Sequence, residues 1–242
     1  MQIILESIKS EFFKQLGLDG RSYDIRINAG TAEELRKIET EARMLEDDRD
    51  KFDSYGFTIY RGSSAYVYIN STIGSFAIKQ TCFHELTHVI SRDKKQKIIE
   101  EYIENIGDKQ YIAPLISTLE LMDEINAEYT ARLLTRTEQN LQEALQDIQE
   151  AASGLCDGIS LDCLYMVIAT WLAVFPNENE NILGEYISSN ESLIHLLCNM
   201  KDKFQILFDK YYPNNIWEAS DDDIYDLAAL YIDLQLLSDT LS

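Results

Sequence analysis

The stretch Phe83-His84-Glu85-Leu86-Thr87-His88-Val89-Ile90 limits this chain more than any other, because its spacing has meaning only on a helix. Residues four apart on a helix share a face, so His84 and His88 can aim their imidazoles at one point. Two neutral imidazoles suit a zinc ion, and Glu85 lies beside them as a candidate general base for a water on that ion. The chain holds three histidines, and two of them sit at this spacing. The plain alternative is a helix with two solvent-facing histidines that bind nothing.

A catalytic zinc needs three protein ligands and one open position. A third histidine at the extended spacing His-Glu-x-x-His-x-x-Gly-x-x-His is absent, because position 91 is Ser and position 94 is Lys. The third ligand must therefore come from another helix, and Glu124-Ile125-Asn126-Ala127-Glu128 is the outstanding candidate. Its two carboxylates are four apart on one helix face, so Glu124 can bind metal while Glu128 reaches a histidine ring N–H. Glu120 shares that face and stays open as an alternative ligand. The bland reading of Glu124 is one more exposed charge on an acidic helix.

With these residues in place the chain resembles the gluzincin metallopeptidases, whose third ligand is the Glu of a Glu-x-x-Ala-Asp/Asn pattern on a following helix. Within that group it is most similar to the ImmA/IrrE-type peptidases. The similar features are Val67-Tyr68-Ile69-Asn70, the approach Gln80-Thr81-Cys82-Phe83 into His84-Glu85-Leu86-Thr87-His88, and Glu124-Ile125-Asn126-Ala127-Glu128-Tyr129-Thr130-Ala131 followed by Leu133-Leu134. The resemblance covers residues 55–136. It implies a zincin-like domain, a zinc ion held by His84, His88 and Glu124, Glu85 as catalytic base, and Glu128 behind the ligands. It also implies that the substrate is a specific regulatory protein, such as a transcriptional repressor. The chain departs from the family at Glu128, where Asp or Asn is usual, and at Thr87, where a small residue is common. No helix-turn-helix segment is evident.

Charge divides the chain unevenly. The net charge is −21. After Arg136 three basic residues (Lys201, Lys203, Lys210) face 19 acidic ones, a balance of −16, whereas residues 1–136 carry 18 basic and 23 acidic residues. That shift predicts a boundary near residue 137, with a metallopeptidase domain over 1–136 and an acidic all-helical region over 137–242. It argues against direct nucleic-acid binding, which needs a basic patch to neutralise phosphates. A basic peptide or basic regulatory protein is favoured over nucleic acid as a partner, with a solvated acidic surface as the plainer explanation of the charge. Asp221-Asp222-Asp223 reads as negative charge loading a helix N-terminus, since the Gly and terminal Glu of a calcium loop are missing.

The remaining pattern is mostly helical. Residues 3–16 form an amphipathic helix, and Tyr23-Asp24-Ile25-Arg26-Ile27 alternates as a short strand. Thr31 and Glu34 form a capping box for a charged helix to about Glu46, before a solvated break at Asp47-Asp48-Arg49-Asp50. Phe57-Thr58-Ile59-Tyr60 and Ala65-Tyr66-Val67-Tyr68-Ile69 read as a hairpin, with residues 65–69 as an edge strand able to pair with an extended substrate. The histidine helix runs from near Ser75 to about Ser91, and a separate charged helix over 94–106 is closed by Gly107. Helices follow beyond Pro114 to Leu134 and over 138–152, 160–175, 179–188, 191–211 and 221–238, punctuated by Gly154, Gly158, Pro176 and Pro213.

The fold class expected is α+β, mostly helical, with a small antiparallel sheet beside the active-site helix. The apolar run Cys163 to Phe175 is too short to cross a bilayer and reads as a buried helix. His195, Tyr129 and Trp171 read as packing residues. Four scattered cysteines without a Cys-x-x-Cys pair, and an N-terminus without a basic flank or cleavage site, point to a reduced, cytoplasmic protein. Two functions compete: a zinc-dependent endopeptidase, and a non-proteolytic zincin-fold module that binds a partner through its acidic helices.

Overall fold

Aromatic and β-branched residues in alternation build the hairpin expected around residues 57–69, and a third strand joins it. The computed structural model describes residues 1–43, 55–105, 112–137, 141–157, 160–183, 187, 190–211 and 216–241. In chain order these form α1 (Gln2–Gln15), β1 (Ile25–Gly30), α2 (Ala32–Arg43), β2 (Gly56–Arg61), β3 (Ser64–Asn70), α3 (Ser75–Asn105), α4 (Ile112–Thr135), α5 (Leu141–Asp157), α6 (Leu161–Val174), α7 (Glu191–Tyr211) and α8 (Asp221–Leu241). The protein is α+β and mostly helical. It falls into two compact units, Met1–Ile90 and Ser91–Ser242.

In the first unit the strand order is β1-β3-β2. β2 and β3 pair antiparallel, with Arg61 opposite Ser64, so Gly62 and Ser63 form a two-residue turn. Gly62 has φ +62°, the left-handed conformation that the first position of such a turn requires. β1 runs parallel to β3, from Ile25 opposite Ala65 to Gly30 opposite Asn70. The sheet is therefore mixed, which corrects the antiparallel expectation. The assignment of residues 65–69 as an edge strand fails with it, because both sides of β3 are hydrogen-bonded. Burial explains the order: Ala65, Val67 and Ile69 of β3 are all 2% exposed or less, whereas β2 buries Phe57 alone, so β3 takes the centre. Among the described residues the edges are β1 and β2.

Beneath this sheet α1 buries Leu5, Ile8, Phe12 and Phe13. The Phe12 and Phe83 rings lie 5.3 Å apart between centroids, and Lys79 pairs with Glu11 at 2.8 Å, which fastens α1 to the first half of α3. The Thr31–Glu34 capping box forms: the Thr31 N–H donates to Glu34 Oε2 at 2.8 Å and the Glu34 N–H to Thr31 Oγ1 at 3.3 Å. At Gly56 a Cβ would lie 2.6 Å from Thr81 Cγ2 and 2.8 Å from the Tyr68 carbonyl oxygen, so only glycine lets β2 begin this close to α3.

The second unit is helical. α6 packs against α4 and α5, and α8 packs against α4 and α7. Leu119, Met122, Ile125, Ile148, Leu164 and Trp171 share one core with α7 and α8 residues. The apolar run around residues 163–175 is the buried helix α6, and its Trp171 Nε1–H donates to the Glu178 carbonyl at 3.0 Å. No helix among the described residues is long and apolar enough to cross a membrane. α3 continues to Asn105 where the sequence pattern predicts two helices; Ser91-Arg92-Asp93-Lys94 loses apolar periodicity but contains no Gly or Pro to stop a helix. Within 179–188 the described regular structure is a 3-10 turn, Glu180–Leu183, opened by the Asn179 side chain accepting from the Asn181 N–H. The expected break at Asp47–Asp50 and the stops at Gly107, Gly158 and Pro213 lie outside the described residues.

α8 begins with a box of the same kind as α2. The Ser220 hydroxyl donates to Asp223 Oδ2 at 2.7 Å, and the Asp223 N–H donates back to Ser220 Oγ at 3.3 Å. The hydroxyl bond first, and the Ser220 N–H after it, hold the Asp223 carboxyl below its ordinary 3.8 against the opposing effect of burial. A carboxyl depressed in the folded state stabilises above its unfolded value and loses that contribution as pH falls through the folded one. Ser220→Ala is expected to lower Tm by about 2–4 °C at pH 7. The difference from wild type should narrow in scans taken well below pH 3.8.

Candidate metal centre

α3 places His84 and His88 one turn apart, both half-buried. Their Nε2 atoms stand 3.1 Å from each other, with ring centroids 4.8 Å apart and planes at 75°. Two nitrogens bound to one zinc at about 2.0–2.1 Å in tetrahedral geometry lie about 3.4 Å apart. The observed spacing is near that of two ligands on one cation, and it is also the length of a hydrogen bond from one ring to the other.

Glu85, between the two histidines in sequence, is 7% exposed. Its Oε2 accepts a 2.8 Å hydrogen bond from the Thr58 hydroxyl on β2. That bond spans 27 residues of sequence and fixes the carboxylate from the sheet side. Sequence reasoning misses Thr58, because a threonine alternating within a strand carries no signal of such a contact. Thr87 is buried with its hydroxyl donating to the Phe83 carbonyl at 2.8 Å, so it packs without an unsatisfied group.

Cys82 lies two positions before His84 and is fully buried. Burial first, and the Glu85 charge second, push its thiol up to about 12. In this buried position the thiol is protonated at neutral pH.

In the second unit α4 carries the three acidic candidates. Glu124 is half-buried, Glu128 is buried and Glu120 is exposed. Neighbouring bonds set the face: the Asn126 side chain donates to Ser91 Oγ at 3.3 Å, and Lys95 pairs with Asp123 at 2.7 Å. Glu128 Oε1 accepts from Arg132 Nε at 2.5 Å, one turn on, and Arg132 Nη2 donates to Asp147 Oδ2 at 2.9 Å. Burial works against the Arg132 charge, and the Glu128 and Asp147 carboxylates more than offset it, so the guanidinium is firmly cationic. Sequence reasoning misses Arg132 as well, although a Glu–Arg pair at this spacing is a legible helix signal.

Among the described residues, His84 and His88 stand together on α3 in the first unit, and Glu124 lies half-buried on α4 in the second. No protein-family model, curated protein or solved structure matches the chain.

Proposed function

We propose that the protein is a zinc-dependent endopeptidase of gluzincin type, similar to the ImmA/IrrE peptidases, acting on a specific regulatory protein. The observation that carries this reading is the pair of Nε2 atoms 3.1 Å apart beside a buried Glu85 carboxylate held by Thr58. His84, His88 and Glu124 would hold the ion, with Glu128 braced by Arg132 behind them. When bound, zinc supplies Lewis acidity that polarises a carbonyl and makes water easier to deprotonate. Glu85 takes the proton from the attacking water and delivers it to the departing amine. Thr58 keeps the Glu85 carboxylate in place for both transfers. An extended substrate would pair with β2, an edge strand among the described residues and the one that carries Thr58, and not with β3.

Metal content tests the ligand set. Wild-type protein should bind about one zinc per chain, measured by plasma mass spectrometry after dialysis. Glu124→Ala should weaken binding by more than the ~10–100-fold that loss of an outer partner costs. Wild-type affinity in Glu124→Ala would remove Glu124 from the set, and Glu120→Ala would then be the next variant.

The second reading, a non-catalytic module acting through its acidic helices, is favoured by the balance of −16 after Arg136. It predicts salt-sensitive capture of a basic partner that stays intact in the presence of zinc. Four cysteines, none in a disulfide, suit a reducing compartment such as the cytoplasm.

A further inference from the structure

We infer that a cleft in the unit Ser91–Ser242, formed by α3, α8 and the 3-10 turn Ile216–Glu218, takes the arginine side chain of a partner peptide. The cleft encloses about 430 Å³, room for one long side chain and the backbone beside it. Three aromatic rings wall it: Tyr102, Trp217 and Tyr225. Tyr102 and Tyr225 meet at 5.9 Å and 78°, so they form a corner with ring faces turned in two directions. Three carboxylates, Glu101, Glu218 and Asp221, stand around those rings, and the Tyr102 hydroxyl donates to Asp221 Oδ1 at 2.8 Å.

Aromatic faces beside carboxylates attract a cation. A guanidinium suits this place better than an ammonium because it is planar, stacks on rings and is more weakly hydrated. Lys94 and Lys97 also line the cleft, but the Lys97 ammonium lies 3.5 Å from Glu101 Oε1, and three carboxylates against two ammonium groups leave it negative. The protein's own net charge of −21 opposes an anionic ligand. Trp217 is 7% exposed, so its ring is a fixed wall of the cleft.

This inference stands apart from the peptidase reading, since none of its residues is a proposed metal ligand or base. The test titrates the full chain with acetyl-Gly-Arg-Gly-amide and with the same peptide carrying citrulline, an uncharged isostere. Binding is read by tryptophan fluorescence, which reports on Trp171 and Trp217 alone. The arginine peptide should bind about fivefold or more tightly than the citrulline peptide, and Tyr225→Ala should remove most of that advantage. Tyr225 is 50% exposed, so its truncation leaves the core intact. Asp221→Asn should weaken binding by a similar factor, with folding of both variants checked by far-UV circular dichroism. Zinc or chelator should leave the affinity unchanged, which separates this cleft from the metal centre. Equal binding of the two peptides, no binding of the arginine peptide, or wild-type affinity in Tyr225→Ala would overturn the inference. Adenosine monophosphate binding in place of the peptide would overturn it too, by showing an anion site.

Discussion

Glu85→Gln is expected to keep zinc and lose peptide-bond cleavage, by a factor of about 10²–10⁴, the range attributed to a positioned general base. Glutamine preserves shape and still accepts a bond from Thr58, so the loss isolates the proton-transfer role from packing. A proteome-derived peptide library, digested by wild-type and variant protein and compared by mass spectrometry, reads this loss without a named substrate. His84→Ala should lose both zinc and cleavage, and a chelator should silence the wild type. Should Glu85→Gln cut the library at the wild-type rate, the proposed base is the wrong residue. The Glu85→Gln protein would also retain its target uncut, which makes it the natural reagent for finding that target.

Arg132→Met should be the most destabilising single change outside the apolar core. Arg132 is 7% exposed and Glu128 is 6% exposed, with their charged groups 2.5 Å apart. Methionine fits a similar volume but leaves the Glu128 carboxylate buried beside an apolar chain. Removing one partner of a buried pair costs about 3–5 kcal/mol. For a chain of this length that corresponds to a fall in Tm of about 6–20 °C, measured by thermal scan at fixed zinc concentration. Pairing Arg132→Met with Glu128→Leu should recover much of the stability, because the buried carboxylate is then gone. A fall below about 1 kcal/mol would mean that water reaches the pair and screens it.

What is legible in the sequence is local. The hairpin, the Thr31–Glu34 box and the buried α6 all follow from contacts a few residues apart. The negative load at the start of α8 belongs with them, since Ser220 and Asp223 are three residues apart. Sheet order is not legible, because β1 reaches β3 across the whole of α2 and β2, and nothing in either strand names its neighbour. The edge-strand error follows from that gap: alternation marks a strand but does not say how many sides are paired. The division of α3 into two helices fails for a different reason. Its middle loses the apolar stripe, and loss of amphipathicity looks like loss of helix, although a charged segment without Gly or Pro can stay helical. At the candidate metal centre the histidine spacing is plain, since one helix turn carries it. Thr58 is hidden because its partner lies 27 residues away on another element.

The outer face of the sheet carries one more arrangement. Tyr66, at the middle of β3, has the Arg26 guanidinium from β1 and the Arg61 guanidinium from β2 each 5.3 Å from its ring centre. Among the described residues, each outer strand of the sheet thus contributes a positive charge, and identical sheets brought side by side would repel there. Sideways growth into fibrils is discouraged, while a single short visitor, especially an acidic one, is not.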